Sequence, residues 1–120
     1  MELIDHIKKD FAGIIQKYNL SISAPFPSIV NLENEYCNVE LQLERGIEFY
    51  VTFIDKISKR EYGLMGLIDF RKLGEKIEMI ESKGLFDLHA KIIELYFSDI
   101  LQGDFSWSAD FDEFMKRYTG

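Results

Sequence analysis

The stretch NVELQLERGIEFYVTF, residues 38–53, decides the fold because its hydrophobic period is two. Apolar side chains alternate with polar ones in both halves, and Cys37 extends the first series backward by one step. The two apolar series are Cys37, Val39, Leu41 and Leu43, then Ile47, Phe49, Val51 and Phe53. A period of two places successive side chains on opposite faces of a strand. With Arg45 and Gly46 as a tight turn, the stretch predicts an antiparallel hairpin with one apolar face.

Further strands are predicted on both sides of this hairpin. The segment EYGLMGLIDF, residues 61–70, is assigned to a third strand, which follows a loop at residues 55–59. Gly63 and Gly66 in that strand indicate a bulge or a close backbone approach. Residues 29–32 would add a short leading strand. Connections this short predict an antiparallel meander of three to four strands.

The hydrophobic period is helical before and after the strands. Residues 3–18 place apolar side chains at steps of three and four, which predicts an amphipathic N-terminal helix. Asn19 and the segment SAPFPS are predicted to end this helix, because Pro25 and Pro27 cannot continue a helix and favour extended predecessors.

Two to three C-terminal helices are predicted from the segments 73–80, 86–100 and 108–118. Gly103 suits the left-handed position just past a helix end, and Ser108 suits an N-cap. The sequence therefore predicts one α+β domain over residues 1–120, in which the helices pack on the apolar face of the meander.

Composition excludes several classes of protein. The chain has 120 residues, of which 47% are hydrophobic and 29% charged, as expected for one globular domain. No apolar run reaches the roughly 18 residues that cross a bilayer, and Glu2 and Asp5 stand where a secretory signal carries bases. We therefore expect a cytoplasmic protein that does not insert in a membrane. The single cysteine, Cys37, is predicted to be a reduced, packed thiol.

Familiar catalytic and metal-binding motifs are missing from the sequence. It contains no nucleophile elbow, no glycine-rich phosphate loop, no paired cysteines and no zinc-protease helix motif. His6 and His89 lie on separate predicted helices. Residues 104–115 resemble a calcium loop, but Ala109 and Met115 occupy the positions that require Gly and Glu. We expect no enzymatic activity, no cofactor and no metal.

One enzymatic alternative stays open. Glu40, Glu44 and Glu48 lie on the polar face of the predicted hairpin, around Tyr50. A small hydrolase or ligand-binding domain could use them if two carboxylates converged in a cleft and burial raised the pKa of one.

The charge distribution favours a protein partner. The formal net charge is −7, and six carboxylates without any Lys or Arg lie between Lys91 and Lys116. An acidic chain disfavours nucleic acid, whereas a concentrated negative field attracts a basic protein. Phe105 and Trp107 fit no core stripe and are predicted to be aromatic anchors of the interface. The predicted partner-binding residues are Asp99, Asp104, Phe105, Trp107, Asp110, Asp112 and Glu113.

A homodimer or structural subunit is a further alternative. In it the acidic segment would meet the basic part of a second copy. The basic residues concerned are Lys8, Lys9, Lys56, Lys59 and Arg60.

The layout of the chain also resembles a known group of proteins. With NVELQLERGIEFYVTF as a meander and ILQGDFSWSADFDEF, residues 100–114, near the C-terminus, it resembles small bacterial proteins, among them immunity proteins of polymorphic and contact-dependent toxin systems. The resemblance implies an acidic, cytoplasmic protein without catalytic motifs that binds a cognate toxin domain, often a nuclease. Immunity proteins share no single fold, so the resemblance transfers no binding residues.

Overall fold

The computed structural model describes residues 2–119 and contains a five-stranded antiparallel sheet, one strand more than predicted. The strands are β1 (Ser21–Phe26), β2 (Ile29–Glu33), β3 (Cys37–Glu44), β4 (Glu48–Asp55) and β5 (Glu61–Gly63). They follow one another in the sheet in the order of the sequence. The predicted α+β class and the antiparallel meander are thus confirmed.

Helices precede and follow the sheet. They are α1 (Leu3–Asp10), α2 (Ala12–Lys17), α3 (Leu64–Phe70), α4 (Gly74–Glu78), α5 (Leu85–Tyr96), α6 (Ser98–Leu101) and α7 (Ser108–Thr119). The predicted N-terminal helix is interrupted at Phe11, and the predicted helix 86–100 is interrupted at Phe97. Both phenylalanines are buried, so each break turns a large ring into the core. No helix within residues 2–119 combines the length and the apolar character that a membrane span requires.

The central hairpin forms as the sequence predicts. Its inward-facing pairs are Val39 with Phe53, Leu41 with Val51 and Leu43 with Phe49. Arg45 and Gly46 both have positive φ, 54° and 74°, and the Ile47 N–H donates to the Glu44 carbonyl over 3.1 Å. Two central residues with positive φ match the twist of the flanking strands, which explains the tight turn.

The prediction of one strand over residues 61–70 was wrong. Pairing with β4 ends at Gly63, and α3 starts at Leu64. Leu64, Leu67 and Ile68 are all buried, and only a helix brings residues three and four apart onto one face. Gly66 lies under α7, where a Cβ would stand 3.4 Å from the Phe111 ring. The close approach expected at this glycine is therefore a contact between two helices.

The helix ends before the two prolines, as predicted, and Pro25 lies in an additional strand, β1, at the edge of the sheet. β1 pairs with β2 at Ser21, Ile22 and Ser23, and the register then shifts before Phe26. A proline lacks the N–H that a central strand needs, but an edge strand and a register shift tolerate it.

The core lies between one face of the sheet and the helices. From the strands it takes Val30, Leu32, Cys37, Val39, Leu41, Val51, Phe53 and Tyr62. The helices and their breaks contribute, among others, Ile7, Phe11, Ile14, Leu67, Ile93, Phe97, Ile100 and Leu101. Cys37 is a buried free thiol, as expected, and burial raises its pKa to about 11. A thiol with that pKa stays protonated and unreactive near neutral pH.

Candidate functional site

The acidic C-terminal segment packs against β5 and α3 through a cluster of aromatic rings. Tyr62 of β5 is buried at its centre. The ring of Trp107 lies 4.8 Å from that of Tyr62, Phe111 lies 5.7 Å away and Phe105 lies 6.0 Å away, measured between centroids. These ring contacts hold the segment that follows Gly103 against the sheet and thereby fix the position of the start of α7.

Trp107 and Phe105 are therefore packing residues, and each is half-buried. The indole N–H of Trp107 donates to the Asp104 carbonyl over 2.8 Å, and the Arg71 guanidinium lies 5.6 Å from the ring centroid. Trp107 also supplies the carbonyl that accepts the N–H of Phe111, so α7 is capped one residue earlier than predicted. Because of these internal contacts, less of the surface of both rings is accessible to a partner than the sequence indicated.

Asp99 is neutralised by a base from another element. Arg71, which follows α3, donates to both carboxylate oxygens of Asp99 over 3.0 and 2.7 Å. The same guanidinium donates to the Tyr96 carbonyl over 2.7 Å and lies over the Phe97 ring. A two-pronged pair of this kind fixes geometry as well as charge. Asp99 thus holds α6 against the end of α3.

Asp112 is neutralised in the same way. Arg60, in the turn before β5, donates through both terminal nitrogens to the two oxygens of Asp112, one over 2.8 Å. This bond from Arg60 lowers the pKa of Asp112. Arg60 also lies over the Tyr62 ring, 5.2 Å from its centroid. The acidic segment has no base of its own between residues 92 and 115, yet the fold brings two bases to it, which corrects the premise of an unbalanced field.

Asp104 shapes the loop between α6 and α7. One of its carboxylate oxygens accepts the Ser106 N–H over 3.0 Å and the Ser106 hydroxyl over 2.6 Å. These bonds lower the pKa of Asp104. The carboxylate is exposed, so it remains accessible to a partner while it closes the turn.

Asp110 and Glu113 lie together on the exposed side of α7. The Asp110 carboxylate makes no hydrogen bond or ion pair with any residue from 2 to 119. Glu113 reaches only Lys116, over 3.3 Å on the helix surface, where both side chains are largely exposed. Ion pairs at such positions contribute little. Unlike Asp99 and Asp112, these two carboxylates pair with no base from another element of the described chain.

A groove with an aromatic floor lies beside these two carboxylates. It is lined by Phe70, Lys72, Asp110, Glu113, Phe114 and Arg117, and we refer to it as the aromatic groove. The rings of Phe70 and Phe114 are 5.5 Å apart, and the groove encloses about 400 Å³. Tyr118 stacks on Phe114 with 5.7 Å between centroids and is 65% exposed.

Sequence reasoning missed this groove. Phe111, Phe114 and Tyr118 recur at helical spacing, which is typical of a core-facing stripe, but of the three only Phe111 is buried. Phe70 comes from α3, which was predicted to be a strand. Of the aromatic residues of α7, Tyr118 is exposed, whereas Phe114 is half-buried, like Phe105 and Trp107.

The outer face of the sheet carries the carboxylates of the hydrolase alternative. Glu40 lies opposite Thr52, and Glu44 lies opposite Glu48. The Tyr50 hydroxyl donates to Glu48 over 2.5 Å, which raises the pKa of Tyr50. None of the three glutamates is buried, and no residue on this face of the described strands is. The convergence and burial that a general acid needs are not seen at these carboxylates.

The two histidines are both involved in packing. His6 is half-buried against Phe86, with ring centroids 5.1 Å apart. His89 packs edge-on against Phe49, its Nδ1 lies 2.8 Å from the Leu85 carbonyl, and burial lowers its pKa. Within the part of the chain that the structure describes, no three His, Cys, Asp or Glu side chains are grouped to hold a metal ion.

Comparison with known proteins returns nothing: no protein-family model, no curated protein and no solved structure matches this chain.

Proposed function

We propose that the protein is an acidic protein-binding module, most concretely an immunity protein that neutralises a basic toxin domain such as a nuclease. The observation that carries the proposal is the unpaired Asp110 beside the aromatic groove. An aromatic floor rimmed by charge is typical of the energetic centre of a protein interface.

The chemistry of the groove fits a cationic side chain of the partner. A guanidinium placed over Phe114 or Tyr118 gains from the electron-rich face of the ring, by about 0.5–2 kcal/mol depending on its desolvation. Asp110 and Glu113 would accept its hydrogen bonds at the same time. The net charge of −7 adds a long-range attraction that accelerates encounter with a basic protein at low salt.

The predicted partner-binding residues then divide into two groups. Asp104, Asp110 and Glu113 are exposed and would contact the partner. Asp99 and Asp112 would act indirectly, because their arginine pairs position α6 and α7. Phe105 and Trp107 would hold the loop between α6 and α7 in place by packing on Tyr62.

Binding to the purified product of the neighbouring gene tests the proposal. We expect Asp110→Lys with Glu113→Lys to weaken binding by at least about tenfold, since like charges would now face the partner. The affinity of the wild type should also fall between low and physiological salt.

The matched control reverses two other exposed acids. Glu75→Lys with Glu78→Lys changes the net charge by the same amount on α4, and both positions are exposed. This control should lose only the small long-range part of the affinity. Equal losses in both double variants, or an affinity that ignores salt, would refute the role of the groove.

The geometry supports the homodimer alternative less than it supports a monomeric binding module. Lys56 already pairs with Glu33 over 3.0 Å, and Arg60 already pairs with Asp112 in the same chain. Two of the bases proposed to meet a second copy therefore have partners within the chain. Analytical ultracentrifugation distinguishes this alternative from a monomeric binding module.

A further inference from the structure

The first half of β4 has an open edge. β5 pairs with β4 only at Thr52, Phe53 and Ile54, and the chain then turns into α3. In the described part of the chain, no strand lies beside residues 48–51 on that side, since β5 is the last strand of the sheet.

The hydrogen bonds of β4 show which backbone groups face this edge. The Asp55 N–H donates to the Arg60 carbonyl on the β5 side, over 3.0 Å, whereas the Lys56 N–H donates to the Tyr36 carbonyl on the β3 side, over 3.2 Å. In an antiparallel strand the N–H and C=O of one residue point to the same side, and successive residues alternate. Phe49 therefore directs its N–H and C=O to the edge that β5 leaves open, and Val51 directs its N–H there. The pairing of Thr52 with Gly63 places the Val51 carbonyl against the Leu64 N–H.

A concavity of about 270 Å³ lies at this edge, and we call it the edge notch. Residues 49–52 form one wall, and residues 63–65 with His89 form the other. Met65 is 69% exposed and Tyr50 46% exposed at its mouth. Proteins usually protect an open strand edge with charge, proline or a covering element, and exposed apolar side chains do the opposite.

The side chains around the edge notch indicate which residue types an added strand would carry. In a strand added beside β4, residues facing Phe49 and Val51 would point inward, toward Leu64 and His89. Their neighbours would point to the outer face of the sheet, which near the notch carries Tyr50 and Glu48, with Glu44 facing Glu48 across the hairpin. Apolar side chains suit the first set, and basic side chains suit the second.

We propose that the edge notch binds an extended segment of a partner protein as a sixth strand, in which apolar and basic residues alternate. Backbone hydrogen bonds to Phe49 and Val51 would supply affinity, and the alternation would supply specificity. The other outer strand of the sheet, β1, carries Pro25, which lacks an N–H group, and this disfavours a second copy as the occupant. The notch shares no lining residue with the aromatic groove, so either proposal can fail alone.

A capped hexapeptide of alternating arginine and valine is the probe. Added to the ¹⁵N-labelled protein, it should shift the amide signals of residues 49–52 and 63–65 and slow hydrogen exchange at Phe49 and Val51. The apolar residues of the added strand lie opposite Phe49 and Val51, so only the valine N–H groups of the peptide can face β4. Methylation of the valine backbone nitrogens should therefore abolish binding. Methylation of the arginine backbone nitrogens should leave binding nearly intact.

A pair of variants with unchanged charge controls for non-specific attraction to an acidic protein. Met65→Ser should weaken peptide binding several-fold, whereas Met79→Ser, at another exposed methionine that follows α4, should not. The proposal is overturned if the parent peptide does not bind, if both methylated peptides bind alike, or if the shifts fall elsewhere. Dimerisation through the same amides without peptide would also overturn it.

Discussion

Arg71 holds together three parts of the C-terminal half of the molecule. It follows α3, grips Asp99 at the start of α6 and caps the Tyr96 carbonyl at the end of α5. Its guanidinium also lies near the rings of Phe97 and Trp107. One planar cation thus serves as ion-pair partner, helix cap and packing surface, a combination that lysine cannot reproduce.

We expect Arg71→Ala to lower the free energy of unfolding by roughly 2 kcal/mol, because a partly buried carboxylate and a carbonyl lose their donors. Urea denaturation followed by circular dichroism measures the change. Lys76→Ala, at an exposed position of α4, is the control and should stay within about 0.5 kcal/mol of the wild type. Equal stability of the two variants would show that the Arg71 contacts do not stabilise the fold.

Neighbouring elements are joined where the β2–β3 turn meets the loop after α6. Asn34 donates through its amide nitrogen to the Leu101 carbonyl over 2.9 Å, and Gly103 approaches the Tyr36 ring. Gly103 has φ of 87°, as expected for a residue just past a helix end, and a Cβ there would stand 2.8 Å from the ring. Two separate requirements, conformation and space, thus select glycine.

Gly103→Ala should lower the free energy of unfolding by roughly 1–3 kcal/mol, since it combines a left-handed φ with a steric contact. Tyr36→Ala in the same chain should recover only the steric part. Gly13→Ala, on an exposed face of α2 with open space around it, should not destabilise the fold. A Gly103→Ala protein as stable as this control would contradict the assignment.

Elements whose hydrophobic residues follow one regular period could be predicted from the sequence. Elements whose conformation depends on tertiary contacts could not. The β3–β4 hairpin alternates strictly, so its faces and turn followed directly. Residues 61–70 satisfy an alternating and a helical pattern at once, and the helix forms because α7 packs onto Gly66. β1 was missed because it forms a strand only as the edge partner of β2. Its own sequence does not show that β2 will lie beside it.

At the scale of the whole molecule, the charge asymmetry of the sequence is only partly an asymmetry of the surface. Arg60 and Arg71 lie far from the acidic segment in sequence but pair with Asp112 and Asp99 in space. Sequence reasoning could identify the acids of the segment but not these long-range partners. Within residues 2–119, Asp110 and Glu113 pair with no base from another element, and they lie beside an aromatic groove that Lys72 and Arg117 also line. The proposed function depends on these two carboxylates.

The most direct test of that claim is a hydrogen-exchange footprint of the protein bound to the product of its neighbouring gene. We expect the backbone amides of residues 108–118 and 70–72 to exchange more slowly in the complex than in the free protein, because the partner would cover the aromatic groove. The amides near Glu75 and Glu78 should be unchanged. A tight complex whose protection lies entirely outside α7 and the end of α3 would contradict the account.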